Sequence, residues 1–349
     1  MKNKLGTWTR LLSAALVLAL PGIASAQLDF SNIVVFGTSI SDPGNGFALL
    51  THPVDGLDLD SPVRQTTPPH YEGLDETLVP SAPYAKGGHH LSNGATWIEQ
   101  YAVGRGFARD VGPAFRDKGK ASNYAVGGAR AVDFPGRVNL PDQVRVFLED
   151  VGNNAPADAL YAIEIGSNDV RDAMVAFAAT LQDTSDPAQA MGAANTVIAN
   201  ALGSIASHIE TLYFAGARKF LVVNVPRLDL VPAVSFLEQF APGTAALASG
   251  LTQAFNLALS QNVLAPLAGL PDIQIARMDI ATQMTSIVTA PGSFGLTNVT
   301  DPCVTPNVPP YTCQQPDKYF FWDGIHPTKA VHGIFAQQAA GILARYPAP

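Results

Sequence analysis

Residues 33–45 read IVVFGTSISDPGN, an apolar run that ends at a glycine and continues into a turn of small residues. The apolar part is typical of a buried strand, and Gly37 marks its end. Ser39 then lies at the start of the turn, where a strand can present a serine nucleophile. Turn chemistry alone also places serines after strands, so Ser39 needs a base elsewhere in the chain.

A candidate base and its orienting acid lie near the other end of the chain, where residues 322–328 read WDGIHPT. Asp323 precedes His326 by three positions, so one short turn can supply both groups. The plain alternative is that Asp323 caps the helix that follows Pro327. Together with Ser39, this pattern predicts a Ser-His-Asp triad for nucleophilic catalysis.

Two further strand ends carry candidate hydrogen-bond donors. Residues 123–129 read NYAVGGA, and paired glycines let a backbone N–H group approach a substrate oxygen closely. Residues 164–169 read EIGSND, where the side-chain amide of Asn168 can donate to the same oxygen. Ordinary loop glycines and a helix-capping Asn are the alternative interpretation. Taken jointly, the segments predict an oxyanion hole formed by the Ser39 and Gly128 N–H groups and the Asn168 side chain.

Short β-rich runs alternate with long Ala-rich stretches along the chain. This alternation indicates a parallel sheet wrapped by helices, with the carboxyl ends of the strands on one edge. Strands are expected near residues 31–37, 121–126, 159–165, 218–224 and 272–278, and the clearest helices at 186–215 and 244–265. Residues 50–95 contain six prolines and predict a long loop excursion over the active edge.

The composition is that of a globular protein, since 47% of its 349 residues are hydrophobic and 14% are charged. The first 26 residues differ, because three basic residues precede an apolar stretch that ends in Ala-Ser-Ala. That layout is typical of a cleaved secretory signal, and a transmembrane anchor is the lesser alternative because the apolar stretch is short. We expect a signal peptide at 1–26 with cleavage after about Ala26, a single domain at 27–349, and a secreted or periplasmic protein.

Charge narrows the range of partners. Without residues 1–26, the chain keeps 18 of its 21 Lys and Arg against 29 Asp and Glu, a net charge of −11. An acidic balance argues against nucleic acid and against electrostatic adhesion to anionic membranes. No later apolar run is long enough to span a bilayer. We expect a neutral or zwitterionic small-molecule or lipid substrate, no stable membrane insertion, and a monomer.

Cys303 and Cys313 are the only cysteines and lie in a Pro-rich segment. Export would place them in an oxidising compartment, so we predict a disulfide between them, in a loop at about 292–320. Two thiols cannot complete a structural zinc site without histidines, and this loop has none, so no metal is expected. The neighbours His89 and His90 are interpreted as part of a solvated loop, because adjacent side chains of an extended segment point apart.

These segments resemble the sequence blocks of the GDSL, or SGNH, hydrolase family. The first block matches residues 36–45 and carries Ser39, the second matches the Gly128 segment, the third residues 166–169 and the last residues 323–326. Residues 88–97, GHHLSNGATW, resemble a stretch often found between the first two blocks, and together with the final motif, FWDGIHPT, they are similar to the bacterial secreted lipase, phospholipase and haemolysin branch. The resemblance implies a flavodoxin-like three-layer α/β/α sandwich with a parallel sheet of about five strands. It also implies hydrolysis of carboxylic esters without a cofactor.

Three positions depart from this resemblance. Thr38 replaces the Asp that usually precedes the nucleophile, Ile40 replaces the following Leu, and Ser167 stands where the third block often has Gly. In the family that acid helps to order the active-site turn. Its loss therefore bears on the rate and rigidity of the site and not on the presence of the triad.

Several activities use the same triad. Esterases, lipases, phospholipases, lysophospholipases and acyltransferases that use an acceptor alcohol all remain open, whereas the likeness to the lipase branch disfavours carbohydrate deacetylation. An exported ligand-binding protein that has lost catalysis is the alternative from a different class. Residues 50–95 and the aromatic side chains of Phe294, Tyr311, Tyr319 and Phe320 could build an acyl groove or serve ordinary packing.

Overall fold

The computed structural model of the protein describes residues 30–51, 90–304 and 313–345. The expected signal peptide at 1–26 and most of the expected excursion at 50–95 lie outside the described residues. Within the described residues, no helix combines the length and the apolar character needed to cross a membrane.

Four parallel strands form the central sheet. They are β1 (Ile33–Gly37), β2 (Leu160–Glu164), β3 (Lys219–Val223) and β4 (Gln274–Met278), which pair in the order β1-β2-β3-β4. Every residue of β1 and β2 is buried, so exposed and buried side chains do not alternate along these strands. Strands buried in this way are covered by helices on both sides, which confirms the predicted α/β sandwich with a parallel sheet.

The predicted strand at 121–126 does not form a regular fifth strand. Its backbone makes three hydrogen bonds along β1, so it does lie at the edge of the sheet. However, a continued parallel ladder would need the Gly37 amide to donate to the Tyr124 carbonyl, and that amide donates to Gln143 Oε1 at 2.8 Å instead. The segment is therefore an irregular edge, and the sheet has four strands.

Helices cover the sheet in two groups. The helices are α1 (Asn45–Thr51), α2 (Trp97–Arg105), α3 (Leu140–Asp150), α4 (Ser167–Thr184), α5 (Pro187–Phe214), α6 (Pro232–Glu238), α7 (Thr244–Ala258), α8 (Ala265–Leu267), α9 (Ile280–Thr289) and α10 (Lys329–Leu343). The helix α2 packs against α10, whereas α4, α5 and α7 pack together.

Both helices that the sequence predicted most clearly are present. The stretch 186–215 is α5, which begins at Pro187 after Asp186 caps the first amides and ends before Gly216 at φ 125°. The stretch 244–265 is α7, continued by a π-helical segment at Leu259–Leu264 that leads into α8.

A second sheet, of two strands, lies next to the disulfide. It pairs β5 (Asn298–Pro302) with β6 (Tyr319–Phe321), and Cys303 is bonded to Cys313 as predicted. The Cys303 amide donates to the Phe321 carbonyl, and the Val304 amide donates to the Trp322 carbonyl. The disulfide therefore holds the strand that leads directly into the turn of Asp323 and His326.

We expect the double variant Cys303→Ser/Cys313→Ser to be less stable than the natural chain. The disulfide closes a loop of ten residues, and loss of that closure lowers the free energy of unfolding by about 2–3 kcal/mol. Urea unfolding of the two proteins measures the difference. Dithiothreitol should destabilise only the natural chain, and equal midpoints for the two proteins would contradict the stabilising role.

Candidate active site

The structure brings Ser39, His326 and Asp323 into one chain of hydrogen bonds. His326 Nε2 lies 2.9 Å from Ser39 Oγ, and His326 Nδ1 lies 2.7 Å from Asp323 Oδ2. Because an ionised carboxylate only accepts, Nδ1 carries the proton and Nε2 is left to accept from the serine hydroxyl. Asp323 and His326 are buried, whereas Ser39 is half-buried and lines a cavity. A histidine base needs this arrangement to activate a serine.

The turn that carries the acid and the base is closed by Asp323 itself. Asp323 Oδ1 accepts from the backbone N–H of Ile325 at 2.8 Å and from that of His326 at 2.7 Å, which leaves Oδ2 for the imidazole. The following helix, α10, is capped by Thr328, whose side chain accepts from the Val331 amide. The helix-capping alternative for Asp323 is therefore wrong.

Asp42 connects the turn that carries Ser39 (residues 38–41, the serine turn) to the loop that carries the paired glycines (residues 127–131, the glycine loop). No feature of the sequence had singled Asp42 out. Its buried carboxylate accepts from the amides of Gly44, Asn45 and Gly46 at 2.8, 2.6 and 3.1 Å, and from the amide of Gly127 at 2.8 Å. Burial raises the pKa of Asp42, and these backbone hydrogen bonds oppose that rise. An Asp two residues before a Gly is a common turn signal, so the sequence did contain a hint.

The expected oxyanion donors lie around the serine. Asn168 lines the same cavity as Ser39, and its Nδ2 donates to the Ala129 carbonyl at 2.9 Å, which orients the amide and leaves a second N–H on that nitrogen. Among the described residues, no acceptor receives the backbone N–H of Ser39 or of Gly128. The glycine loop approaches the serine, because a Cβ on Gly127 would lie 3.8 Å from Ser39 Cβ.

Asp169, in the first turn of α4, also holds the glycine loop in place. Its carboxylate accepts from the Ala131 amide at 3.1 and 3.0 Å, two residues beyond the carbonyl that Asn168 holds. Burial raises the pKa of Asp169 to about 6, against the opposing effect of that hydrogen bond. Two neighbouring residues of α4 therefore determine where the glycine loop lies.

A carboxylate does contact the turn of Ser39, although position 38 is a threonine. Glu164, the last residue of β2, accepts from the backbone N–H of Thr38 at 3.1 Å and from its hydroxyl at 3.0 and 2.9 Å. Glu164 lies two positions before the third block, residues 166–169, and the sequence assigned it no role. The loss of the acid at position 38 thus does not leave the turn without a carboxylate.

The cavity beside Ser39 has a volume of about 360 Å³ and predominantly apolar walls. Its side chains come mainly from α4, α6, α7 and the segment that precedes Asp323; they include Met174, Val175, Val234, Leu237, Leu247 and Phe320. Of the aromatic residues considered for an acyl groove, Phe320 lines this cavity and Phe294 and Tyr319 do not, while Tyr311 lies outside the described residues. An apolar cavity of this size is suited to an alkyl or acyl group.

The described residues contain no group of three or more His, Cys, Asp and Glu side chains arranged to bind a metal ion. His90 instead contacts both carboxylate oxygens of Glu99 at 2.9 Å, and its neighbour His89 lies outside the described residues.

The chain is similar to several known proteins. The family model described as GDSL-like Lipase/Acylhydrolase matches residues 33–339. A GDSL esterase/lipase of Arabidopsis thaliana is 22% identical over 343 residues, covering 88% of this chain and 85% of that protein. A second A. thaliana GDSL esterase/lipase is 25% identical over 367 residues, covering 94% of this chain and 95% of that protein. A crystal structure of protein YxiM from Bacillus subtilis aligns with 73% of this chain and 51% of that chain at a TM-score of 0.33 and 14% identity.

We expect Gly166→Ala to destabilise the protein and to reduce its activity. Gly166 caps α4 at φ 119°, and a Cβ there would lie 2.4 Å from Phe255 Cζ, so the start of the helix that carries Asn168 must shift. Strain of this kind lowers the free energy of unfolding by about 1–3 kcal/mol.

The matched control is Gly192→Ala, in the exposed interior of α5, where nothing lies within 4 Å of an added Cβ. Alanine there should raise the free energy of unfolding by about 0.5–1 kcal/mol. Urea unfolding of both variants measures the contrast, and equal effects would show that the space around Gly166 is unimportant.

Proposed function

The chain belongs to the GDSL-like lipase/acylhydrolase family and is a carboxylic ester hydrolase, and we propose that Ser39, His326 and Asp323 catalyse the hydrolysis. The observation that supports these roles is the unbroken hydrogen-bond chain from Ser39 Oγ through the imidazole to Asp323 Oδ2. A binding protein that had lost catalysis would have no need of this arrangement.

In the proposed mechanism, His326 Nε2 takes the hydroxyl proton of Ser39 as Oγ attacks the ester carbonyl. Asp323 keeps the imidazole in the required tautomer and stabilises its cationic form. His326 then returns the proton to the leaving alcohol, an acyl-enzyme forms, and water activated by the same imidazole releases the acid.

The oxyanion of each tetrahedral intermediate would accept from the Ser39 N–H, the Gly128 N–H and the second N–H of Asn168 Nδ2. Support comes from the two backbone amides that have no acceptor among the described residues and from the fixed orientation of the Asn168 amide. Loss of one such donor lowers kcat by about 10²–10³-fold in comparable sites.

The substrate we propose is an ester with an apolar acyl chain, as in esterase, lipase, phospholipase or lysophospholipase reactions. The predominantly apolar cavity of about 360 Å³ beside Ser39 supports this choice. We further propose that the protein is exported to the periplasm or the medium, on the pattern of residues 1–26. The likeness to the bacterial secreted branch rests on residues 88–97 and 321–328, whereas both relatives above are plant proteins.

We expect the protein recovered from the periplasm or medium, with Gln27 as its first residue, to hydrolyse p-nitrophenyl esters. Both Ser39→Ala and His326→Ala should lower kcat by about 10³-fold or more, because each removes a member of the triad. The matched control is Ser207→Ala, an exposed serine of α5, which should leave kcat unchanged.

The same assay tests the acyl site. Each methylene that the cavity buries contributes up to about 0.8 kcal/mol, so kcat/KM should rise from acetate towards longer acyl chains. A flat profile would contradict acyl binding in this cavity. Turnover that survives Ser39→Ala would contradict the triad itself, and absence of both turnover and fluorophosphonate labelling would favour the binding-protein alternative.

A further inference from the structure

Glu164 is a buried carboxylate with no direct part in the triad mechanism, yet it contacts the nucleophile's turn on both sides of Ser39. Besides the three contacts from Thr38, it accepts from the Ser41 hydroxyl at 3.1 Å. The Ser41 oxygen in turn accepts from Trp97 Nε1 at 3.0 Å, so its own proton is left for Glu164. The residues before and after the Ser39–Ile40 pair are therefore held by one side chain.

Strand pairing makes this reach possible. Gly37 and Glu164 are partners in the register of β1 and β2, and Gly37 is the last residue before the serine turn. A Cβ on Gly37 would lie 2.7 Å from the Glu164 carbonyl oxygen and 3.2 Å from Oε2, so only glycine leaves room for the carboxylate to pass. The turn can thus rest directly on the end of the neighbouring strand.

The carboxylate also has a cost for folding. Its hydrogen bonds come from a backbone amide and hydroxyl groups, and burial raises the pKa of Glu164 to about 7 despite those hydrogen bonds. A buried charge held only by neutral partners lowers stability, and a neutral side chain of the same shape would avoid that cost. The benefit must therefore lie in the geometry of the turn that it holds.

We propose that Glu164 is the positioning residue that keeps Ser39 within hydrogen-bond distance of His326, in place of a carboxylate at position 38. This inference rests on the proposed role of Ser39. Thr38 donates both its N–H and its hydroxyl to Glu164. An acid at position 38 would therefore be harmful while Glu164 is present, because two carboxylates cannot both ionise in one buried site.

We expect Glu164→Gln and Thr38→Val to lower kcat for a p-nitrophenyl ester by about 10- to 100-fold with little change in KM, because a displaced nucleophile loses rate more than binding. Thr38→Ser keeps the hydroxyl and should retain most of kcat. Thr38→Asp should be harmful alone but should raise kcat in the Glu164→Gln background, where a single carboxylate remains. Glu149→Gln, an exposed acid of α3, is the matched control and should change nothing.

Unfolding measurements provide a readout that does not depend on activity. The folded state keeps the Glu164 proton up to about pH 7, whereas the unfolded chain releases it near the ordinary value of 4.5. The natural chain should therefore lose stability relative to Glu164→Gln as pH rises through that window. Unchanged kcat in both Glu164→Gln and Thr38→Val would overturn the proposal. So would a kcat of the double variant Thr38→Asp/Glu164→Gln that is no higher than that of Glu164→Gln alone. Turnover that persists in Ser39→Ala would instead refute the proposed nucleophile.

Four exposed apolar side chains lie at or beside the cavity. Val175, Phe236, Leu237 and Phe240, called here the apolar rim, are 63%, 41%, 39% and 73% exposed, and the two phenylalanine rings lie 5.1 Å apart. Val175 and Leu237 also line the cavity, so the rim continues its apolar wall onto the surface. Large exposed apolar groups that are continuous with a binding cavity mark a surface that binds an apolar partner.

Three of the four rim residues, Phe236, Leu237 and Phe240, lie in a nearly uncharged part of the chain. Residues 230–271 contain one charged side chain, Glu238, and its carboxylate accepts from the amides of Gly243 and Ala245. The fourth, Val175, follows Arg171 by about one turn of α4, and Arg171 also lines the cavity. The rim therefore offers little to a charged partner, and the net charge of −11 without residues 1–26 opposes approach to an anionic one.

We propose that the apolar rim docks on the surface of neutral or zwitterionic lipid aggregates, from which an acyl chain enters the cavity. This proposal also rests on the proposed function, so its test uses the Ser39→Ala protein, in which docking is measured without hydrolysis. Co-sedimentation with phosphatidylcholine vesicles should show binding, and vesicles that contain phosphatidylglycerol should bind more weakly.

The change Phe236→Ser/Phe240→Ser in that protein should weaken vesicle binding at least about tenfold, because two large apolar groups leave the contact. The matched control is Phe214→Ser, which is 78% exposed at the end of α5 and does not line the cavity. In the active protein, the double change should leave turnover of a dissolved monomeric ester unaltered. Vesicle binding that is insensitive to the double change, or a dimer in ultracentrifugation that depends on these two phenylalanines, would overturn lipid docking.

Discussion

Four buried carboxylates that accept from backbone N–H groups hold the loops around the serine. Asp42 reaches the glycine loop, Glu164 reaches the serine turn, Asp169 reaches the far side of the glycine loop, and Asp323 closes the turn of the base. A buried carboxylate that lost these donors would be very costly, so each loop has few alternative positions. The candidate site is therefore organised before any substrate arrives, as electrostatic catalysis requires.

This order is obtained at the expense of stability. Burial raises the pKa of Asp42, of Asp169 to about 6 and of Glu164 to about 7. A carboxyl group with a raised pKa favours the folded state most when it is protonated, and that contribution disappears as pH rises through the folded value. As pH rises towards and past neutrality, these groups ionise in the folded state and support folding less. Such a conflict between stability and local order is common at functional sites.

Much of the fold and the arrangement of Ser39, His326 and Asp323 could be predicted from the sequence because the signals are local. Asp323 and His326 share one turn, and β1, β2 and β3 each contain an unbroken run of four apolar residues. Glu164 could not be assigned, because its partner Thr38 is 126 positions away and a carboxylate in a strand has no local signature. The walls of the cavity were also beyond prediction, since they depend on how α4, α6 and α7 pack. The irregular edge at 121–126 arose because the Gly37 amide donates to the side chain of Gln143, 106 positions away, which no hydrophobic pattern reveals.

The separation of the proposed nucleophile and base along the chain has a consequence for synthesis. Ser39 and His326 are 287 positions apart, and the proposed base follows every described strand of the central sheet. A growing chain carries an unactivated alcohol until residue 326 has been made and docked. On the proposed export route, the unfolded polypeptide would thus be inert towards the lipids that it passes, and the proposed esterolytic activity would coincide with completion of the tertiary structure.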